Sequence, residues 1–592
     1  MEKQKQQHTH ELPAPVGAEA KSRSRTRPLL LALLLLAGLV AHRCLFRGAP
    51  APAPAARGCE QAAPLLPTAH DVSSVWGAKE RVIKWHQDAI RIPTQSWDDM
   101  GAPGDDPRWD VFADYHAYLE TAYPLVHRHL SKTTIDTWGL VYEWVGSDAG
   151  RRPLFITGHQ DVVPVLPDTV NKWEHPPYSG DYDGTYIWGR GASDDKSTTT
   201  AVLAAIELLL EVGDFKPSRT VVLAFGHDEE RGGLRGAMSI NDYLLDKYGP
   251  QPFALLVDEG SGLSTAWGRT FGLPGVAEKG KFDLNLTVST LGGHSSVPPP
   301  HTGIGLSALL IAELERNPCT PSLGPKAPVY GFLQCAASYA PEIPSKLKRV
   351  VAAAASGCKK AARALPDLVI ETGLGGPGRR GAGQGSAERA LMSTTQAVDI
   401  INGGVKVNAL PELVTTLVNH RIDISSRVAE VKSRIWHTLQ PVAAELGLAV
   451  QGFNRSYTPD NARGTVYLSS SRFGADLEPA PITDFTVANP AWRVFAGTAR
   501  GLWASRKEVS SNGTLVDLAP EDELIMAPFM TTGNTDTARY WALAKDIFRW
   551  RYVANTAHQG GHTINERIEA DALVEFTRFF QALILNVDAD DF

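Results

Sequence analysis

The acidic turn at Asp194 has the residue types and the position of a metal-binding site. It lies in Gly189–Ser197, between the strand-like stretch Tyr186–Trp188 and the apolar helical run Thr199–Val212. A carboxylate on such a strand-to-helix turn projects from the end of a sheet, where α/β enzymes build their sites. An aspartate directly before a helix is also a common N-cap. We interpret Asp194 as a carboxylate that bridges two metal ions, if other stretches supply the remaining ligands.

His159 and Asp161 follow the apolar stretch Pro153–Thr157, which we predict to be a strand. The imidazole of His159 can bind zinc. The carboxylate of Asp161 can accept the N–H of the other ring nitrogen and fix the tautomer, as metal-bound histidines usually require. Taken alone, the two residues could equally be a loop histidine and an unrelated acid. They indicate a metal site only together with the other candidate ligands.

Three more acids stand after predicted strands. Glu229 and Glu230 follow Arg219–Phe225, and Asp258 follows Phe253–Val257. Adjacent carboxylates point in different directions, so one of the two glutamates can bind a metal while its neighbour stays free to take a proton. A solvated acidic turn is the alternative interpretation of each stretch.

The last candidate ligand is His562, with His558 as a rival. Two histidines and three carboxylates form a mixed nitrogen and oxygen set, which suits two zinc ions that share a carboxylate and leaves room for water. Four of the five candidate stretches stand at strand ends. Together they predict a dinuclear metal site.

The elements around these residues predict an α/β fold. Short apolar runs alternate with helical stretches such as Arg81–Ile92 and Asp110–Leu130, which indicates a mixed, largely parallel sheet with helices on both faces. We assign residues 73–277 and 460–592 to this catalytic domain. Length alone favours more than one domain.

Between these parts, residues 278–459 predict an inserted α+β lid or dimerisation domain. Phe282–Ser289 alternates apolar and polar residues, as a half-exposed strand does. The other predicted elements are the strand-like Gly403–Leu410 and Thr415–Asp423 and the helical Gly303–Glu315 and Val428–Leu446. Within the insertion, Cys335–Ala397 is long for a lid, and Gly373–Ser386 has the composition of a mobile loop.

The N-terminal region predicts a membrane anchor. Residues 1–27 are polar and end in a basic cluster, and residues 47–72 are predicted to form an Ala/Pro-rich stalk. Between them Leu29–Ala41 is an uninterrupted apolar run, which extends to a predicted span over residues 28–46 if His42 and Arg43 lie at the interface. The apolar run is short for a span, so a cleaved signal peptide is the alternative. With the anchor, the basic cluster places the N-terminus in the cytoplasm and the body in a lumen. Three sequons, at Asn285, Asn454 and Asn512, agree with a lumenal body.

Composition excludes several other functions. The net charge is −7, and no basic stripe with interleaved aromatic residues is present, so nucleic acid is not an expected partner. The five cysteines contain no Cys-x-x-Cys pair, which argues against a thiolate zinc site. Cys59, Cys319, Cys335 and Cys358 can form up to two disulfides, with a pairing that the sequence leaves open.

The motifs around these residues resemble the dinuclear zinc peptidase family of carboxypeptidase S, glutamate carboxypeptidase and aminoacylase, and most closely its fungal vacuolar carboxypeptidase S branch. The resemblance spans roughly residues 155–566. The matching motifs are Gly158-His-Gln-Asp161, Gly189-Arg-Gly-Ala-Ser-Asp-Asp-Lys196, His227-Asp-Glu-Glu230, Val257-Asp-Glu-Gly260, Gly292-Gly-His294, Gly403-Gly-Val-Lys-Val-Asn408 and His562-Thr-Ile-Asn-Glu566.

This resemblance implies two zinc ions per subunit. His159 and Asp258 would hold one ion, Glu230 and His562 the other, and Asp194 would bridge them. The peptide after the bridging aspartate is often cis in the family.

The resemblance also implies catalytic roles. Glu229 would be the general base, and Asp161 would orient His159. His294 would stabilise the oxyanion, often across a dimer, while Asn408 and Arg421 would grip a substrate carboxylate.

One segment departs from the family pattern. A basic residue usually follows the position of Thr537, but Ala538 stands there and Arg539 comes one place later. The carboxylate-binding detail is therefore the weakest part of the comparison.

The function expected from the resemblance is a zinc carboxypeptidase that cleaves short peptides in a lysosome-like vacuole. One alternative is a hydrolase or synthase of N-acyl amino acids at the same metals. The other is an inactive, membrane-anchored binding protein, although such family members usually lack the base or a ligand.

Overall fold

The computed structural model describes residues 58–213, 215–375, 386–471, 476–509, 515–517 and 523–592. The predicted tail (1–27), the predicted membrane-spanning helix (28–46) and the first part of the predicted stalk lie outside these residues. Among the residues that are described, no helix is long and apolar enough to cross a membrane.

A ten-stranded mixed sheet is the centre of the catalytic domain. Its four central strands are mutually parallel, and antiparallel strands flank them. The predicted mixed α/β class is therefore confirmed. In spatial order the main path runs through Ser131–Ile135, Gly139–Trp144, Val221–Gly226, Leu154–His159, Leu255–Ala266, Ile547–Ala554, Gly275–Glu278 and Phe529–Thr531, with Arg269–Gly272 and Ile525–Met526 on a branch.

Helices cover both faces of this sheet. Successive side chains of a strand point to opposite faces, so they pack in two different hydrophobic cores. Leu154 and Ile156 share a core with Leu203, whereas Phe155 packs in a second core with Ile240. The α-helices of this domain are Lys79–Ile90, Val111–Ala122, Pro124–His129, Lys196–Val212, Gly236–Tyr248, Pro490–Ala504 and Ala570–Ala589. Short 3-10 helices occur at Val72–Ala78, Pro107–Trp109, Pro167–Lys172, Glu229–Arg231 and Asp536–Arg539.

A separate four-stranded sheet connects two distant parts of the sequence. The strand Tyr186–Trp188, which leads to Asp194, pairs antiparallel with Arg567–Glu569, which follows His562. The outer strands of this sheet are Asp181–Tyr182 and His558–Gln559. The pairing brings the turn that carries Asp194 and the loop that carries His562 to the same place.

The predicted insertion, residues 278–459, supplies five strands of a second, six-stranded sheet with two helices packed on one face, and the sixth strand, Gly464–Ser470, lies beyond its predicted end. Burial alternates from residue 280 to residue 289 of the strand Gly280–Thr290, as the sequence pattern predicts for a half-exposed strand. In spatial order the strands are Ala397–Gly403, Leu413–Ile422, Gly280–Thr290, Gly464–Ser470, Ala449–Gly452 and Arg455–Tyr457, and the helices are Gly303–Arg316 and Val428–Glu445.

The prediction of a strand over Gly403–Leu410 is wrong for most of that stretch. Gly403 ends the strand Ala397–Gly403, and Ala409–Leu410 is a short strand paired with Gly293–His294, but residues 404–408 between them are not strand. Val405 and Val407 are almost fully exposed, so their apolar character reflects a surface loop.

The helices within Cys335–Ala397 do not pack in the hydrophobic core of the six-stranded sheet. Phe332, Leu347 and Val369 pack in a cluster with Phe271 and Phe529, which belong to strands of the catalytic sheet. Much of the predicted mobile loop Gly373–Ser386 lies outside the described residues. The helices of this layer are Pro328–Tyr339, Ser345–Ala355, Lys359–Thr372 and Ser386–Met392. A short hairpin, Lys507–Val509 with Leu515–Asp517, lies elsewhere.

The stalk predicted to extend to residue 72 is attached to the body from Cys59 onward. Cys59 forms a disulfide with Cys335, and the backbone N–H of Leu65 donates to the carbonyl of Gly497 at 2.8 Å. Gln61 exchanges two hydrogen bonds with the backbone of Met526. The Leu65 side chain also packs against the core of the body, so the chain from Cys59 onward is not an extended spacer.

Candidate metal centre

His159 ends the central strand Leu154–His159 and has its imidazole among carboxylates. Its Nε2 lies 3.5 Å from Asp194 Oδ1 and 3.4 Å from Glu259 Oε1. Burial disfavours the imidazolium, but the carboxylates of Asp161, Asp194 and Glu259 outweigh burial and raise the pKa of His159 well above its usual value. The ring therefore sits where negative charge gathers and a cation would be stabilised.

Asp194 faces two histidines with its two oxygens. Oδ1 points toward His159, and Oδ2 lies 3.2 Å from Nε2 of His562. Burial would raise the pKa of Asp194, but His159, His562 and Arg551 outweigh it and hold that pKa well below its usual value. A carboxylate placed in this way can contribute one oxygen to each of two metal ions. The Asp194–Asp195 peptide is cis.

Glu230 completes the second half of the centre. Its Oε2 lies 3.0 Å from Nε2 of His562, while its Oε1 is buried without a hydrogen-bond partner. Burial raises the pKa of Glu230 to about 7. Hydrogen bonds to Asp194 and Glu230 raise the pKa of His562 to about 10.

Asp161 fixes the turn that carries Glu229 and Glu230. Its carboxylate accepts the backbone N–H of Glu229 at 3.1 Å and that of Glu230 at 3.2 Å, and the hydroxyl of Ser96 at 2.6 Å. The expected bond to His159 is made mainly by the Asp161 carbonyl, 2.9 Å from Nδ1, with the carboxylate at 3.3 Å. Asp161 thus positions the glutamate pair as well as the imidazole.

Glu229 stands beside the metal-binding groups without a hydrogen-bonded cation of its own. Its carboxylate clusters with His159 and Glu230, their ligand atoms lying within 4.8 Å of one another. Burial, together with the neighbouring Glu259 and Glu230, raises the pKa of Glu229 well above its usual value. A carboxylate with a raised proton affinity is suited to general base catalysis.

The structure does not bring Asp258 to this centre, contrary to the prediction from its motif. Glu259, the next residue, has its carboxylate beside His159 and Asp194 instead. Successive residues of a strand point to opposite faces, so only one of the two acids can face the histidine. Both oxygens of Asp258 are buried without a hydrogen-bond partner, and burial raises its pKa to about 7.

His558, the rival of His562, also stays outside the cluster. Its Nδ1 lies 3.1 Å from the hydroxyl of Ser193, and burial lowers its pKa to about 4. It belongs to none of the groups of potential ligands among the described residues.

The groups that remain fit two divalent ions. His159, Asp194 and Glu259 form one set of three donors, and Asp194, Glu230 and His562 form another. Nε2 of His159 is buried and accepts or donates no hydrogen bond, as expected of an atom reserved for a metal. Three nitrogen and oxygen donors per ion leave further coordination positions, which is typical of catalytic zinc sites.

Besides Glu259, two residues of this centre were not predicted from the sequence. Glu566 accepts the backbone N–H groups of Ser193 at 2.8 Å and Asp194 at 2.9 Å and pairs with Arg190. Arg551 contacts the carboxylates of Asp194 and Glu259. Glu566 was visible as part of its motif, whereas nothing in the sequence around Arg551 signals the site.

The hydrogen bonds of the predicted lid residues go to neighbours other than the potential metal ligands. His294 is exposed, with Nδ1 accepting from the backbone and hydroxyl of Ser296. Asn408 is also exposed. Its backbone carbonyl accepts a hydrogen bond from the N–H of Ser295, the residue after His294, at 3.2 Å. Arg421 points to the catalytic domain and donates to Asn534 Oδ1 at 2.8 Å.

Arg539, the displaced basic residue, serves a local role. Its guanidinium donates to the carbonyl of Gly232 at 2.7 Å and 3.2 Å. It therefore supports the chain directly after the glutamate pair.

Comparison with known proteins gives consistent matches. The chain is 35% identical over 541 residues to carboxypeptidase S of Saccharomyces cerevisiae, covering 90% of this chain and 89% of that one. It is 26% identical over 524 residues to the N-fatty-acyl-amino acid synthase/hydrolase PM20D1 of Xenopus tropicalis, covering 87% of each chain. The structure of the M20 family metallo-carboxypeptidase Sso-CP2 from Sulfolobus solfataricus matches with a TM-score of 0.55 at 15% identity, over 86% of this chain and 99% of that chain, so the fold is shared.

The sequence model of peptidase family M20/M25/M40 matches residues 155–586 of this chain. This range contains His159 and His562 and everything between them. The resemblance to carboxypeptidase S and its relatives that the motifs predict is thereby confirmed. The chain belongs to peptidase family M20/M25/M40 and is a metallopeptidase of that family.

Proposed function

We propose that the protein is a zinc carboxypeptidase that hydrolyses the C-terminal amide bond of short peptides with Glu229 as the general base. The observation that carries the proposal is the position of Asp194, whose two oxygens face two histidines, with the Glu229 carboxylate beside them and outside both proposed donor sets. The 35% identity to carboxypeptidase S supports the substrate class.

Two zinc ions would be held by the two donor sets already described. His159, Asp194 and Glu259 would hold one ion, and Asp194, Glu230 and His562 the other. Zinc ions bound there would polarise the scissile carbonyl and make the attacking water more acidic.

Glu229 takes the proton of the attacking water and donates it to the leaving amine. Its raised proton affinity, a result of burial, supports both steps because a base that is too weak would hold no proton to return. Asp161 keeps Glu229 in place through the backbone.

The substrate is gripped from the lid. Arg421 suits a bidentate contact to a carboxylate, and its location against the catalytic domain supports that role. Asn408 would add a hydrogen bond. His294 would stabilise the oxyanion, and its exposure on the lid is compatible with action across a homodimer.

A lumenal location is part of the proposal. The predicted N-terminal anchor places the body in a vacuole or lysosome-like lumen, as a single-pass protein with a cytoplasmic N-terminus. The Cys59–Cys335 disulfide supports an oxidising compartment. Asn454 is exposed on a tight turn and would accept a glycan, a modification that digestion with a glycosidase and mass measurement would detect.

A hydrolase or synthase of N-acyl amino acids at the same metals is the second candidate, favoured by the match to the Xenopus tropicalis relative. The purified protein should be assayed on blocked dipeptides with a free C-terminal carboxylate and on N-fatty-acyl amino acids, with and without a chelator. Faster chelator-sensitive cleavage of the peptides supports the carboxypeptidase. Faster cleavage of the acyl amino acids supports the second candidate, and no cleavage of either supports the inactive binding protein.

A further inference from the structure

Arg551 is a buried cation at the edge of the metal centre. It lies on the strand Ile547–Ala554, the parallel neighbour of the strand that carries Glu259. Only 7% of its surface is exposed. Burial of a guanidinium is costly unless charges and hydrogen bonds compensate for it, so its contacts indicate why it is there.

These contacts join two separate parts of the centre. One terminal nitrogen donates to the carbonyl of Ser193 at 2.7 Å and lies 3.2 Å from its hydroxyl. The other lies 2.5 Å from Glu259 Oε2 and 3.2 Å from Asp194 Oδ1. A planar guanidinium can hold several acceptors at once, whereas an ammonium group acts as a single point charge.

The two carboxylate oxygens of Glu259 have different partners. Oε2 is bonded to Arg551, and Oε1 faces His159 Nε2 at 3.4 Å. The short contact holds Oε2 of Glu259 on Arg551 and leaves Oε1 for a metal, whereas the longer contact of Arg551 to Asp194, at 3.2 Å, leaves Oδ1 of Asp194 available to the ion. Without Arg551 both oxygens of Glu259 would be available to the same ion.

We propose that Arg551 is a positioning residue that restricts Glu259 to one metal-binding oxygen and ties it to the Ser193–Asp194 turn. An ion held there by His159, Asp194 and Glu259 would then keep a coordination position for the substrate carbonyl. This inference rests on the proposed metal centre.

Cobalt(II) loaded into the full chain provides the test, because its visible absorption weakens as coordination number rises. Arg551→Lys and Arg551→Gln should both retain two ions per chain by elemental analysis but show weaker visible bands than the wild type. Removal of a residue that orients metal ligands typically lowers activity roughly 10–100-fold. We expect this loss in kcat, with KM little changed.

Arg549→Lys is the matched control. Arg549 is buried on the same strand but contacts Glu278 at 3.1 Å and Thr537 at 2.9 Å, which are not candidate ligands. Its cobalt spectrum should equal that of the wild type. Circular dichroism of each metal-free variant checks that it folds, and Arg551→Lys remains informative if Arg551→Gln does not fold.

Three results would overturn the inference. A wild-type spectrum for Arg551→Lys would show that charge alone matters, and unchanged spectra for both variants would show that Glu259 is not restricted. An equal change in Arg549→Lys would show a general disturbance of the strand. Failure of the wild type to bind cobalt is a different outcome, because it would refute the proposed metal centre itself.

Discussion

Separate substitution of Glu259 and of Asp258 tests which of these two adjacent acids binds a metal ion. Glu259→Gln removes one of the three donors that surround the first proposed ion, while Asp258→Asn alters a carboxyl on the opposite face of the strand. Binding of zinc to a four-ligand structural site contributes roughly 10–16 kcal/mol, so one ligand accounts for about 2.5–4 kcal/mol, or a roughly 60- to 700-fold change in affinity.

Competition with a chromophoric chelator measures this difference directly. We expect Glu259→Gln to release one ion at chelator concentrations at which the wild type retains two. Asp258→Asn should retain both ions with an affinity within about tenfold of the wild type, because its carboxylate is not among the ligand groups. Loss of an ion from Asp258→Asn, with retention in Glu259→Gln, would refute the assignment made from the strand geometry.

Three further predictions concern stability. Replacement of Cys59 and Cys335 by serine should lower the free energy of unfolding in urea by about 2–5 kcal/mol, since the disulfide closes a loop across 276 positions; an unchanged midpoint would contradict this. Burial lowers the pKa of His86 from 6.5 to about 4, so the stability it contributes is complete above pH 6.5 and falls by about 3 kcal/mol as the pH drops toward 4. His86→Gln should flatten this pH dependence in urea titrations, and an equal slope would be inconsistent with it. Glu566→Gln breaks a buried pair with Arg190 and should cost about 3–5 kcal/mol in thermal unfolding of the metal-free protein, whereas an unaltered transition would argue against the pair.

The sequence predicts the strand ends and much of the metal centre because both depend on local patterns. His159, Asp194 and Glu230 each follow a short apolar stretch, and the structure gathers them with His562. The motif around residue 258 shows two acids, and the choice between them requires the phase of the strand. An alternation of buried and exposed residues would have shown which acid shares a face with the site, but the first five residues of this strand are all buried, so the sequence gives no such phase.

Contacts between distant parts of the chain are what the sequence does not reveal. Arg551 reaches Glu259 only because two parallel strands are neighbours in the sheet. The attachment of residues after Cys59 depends on a disulfide partner 276 positions away. The helices after Pro328 pack on the catalytic sheet through apolar surfaces that would serve a lid equally well.

Glu229→Gln tests the central claim most directly. Glutamine keeps the size of the side chain but cannot take a proton, and Glu229 belongs to neither of the two donor sets proposed to hold the ions. We predict two bound ions per chain by elemental analysis together with loss of peptide cleavage. Retained cleavage by the fully loaded variant would contradict the account, because another group would then have to act as the base.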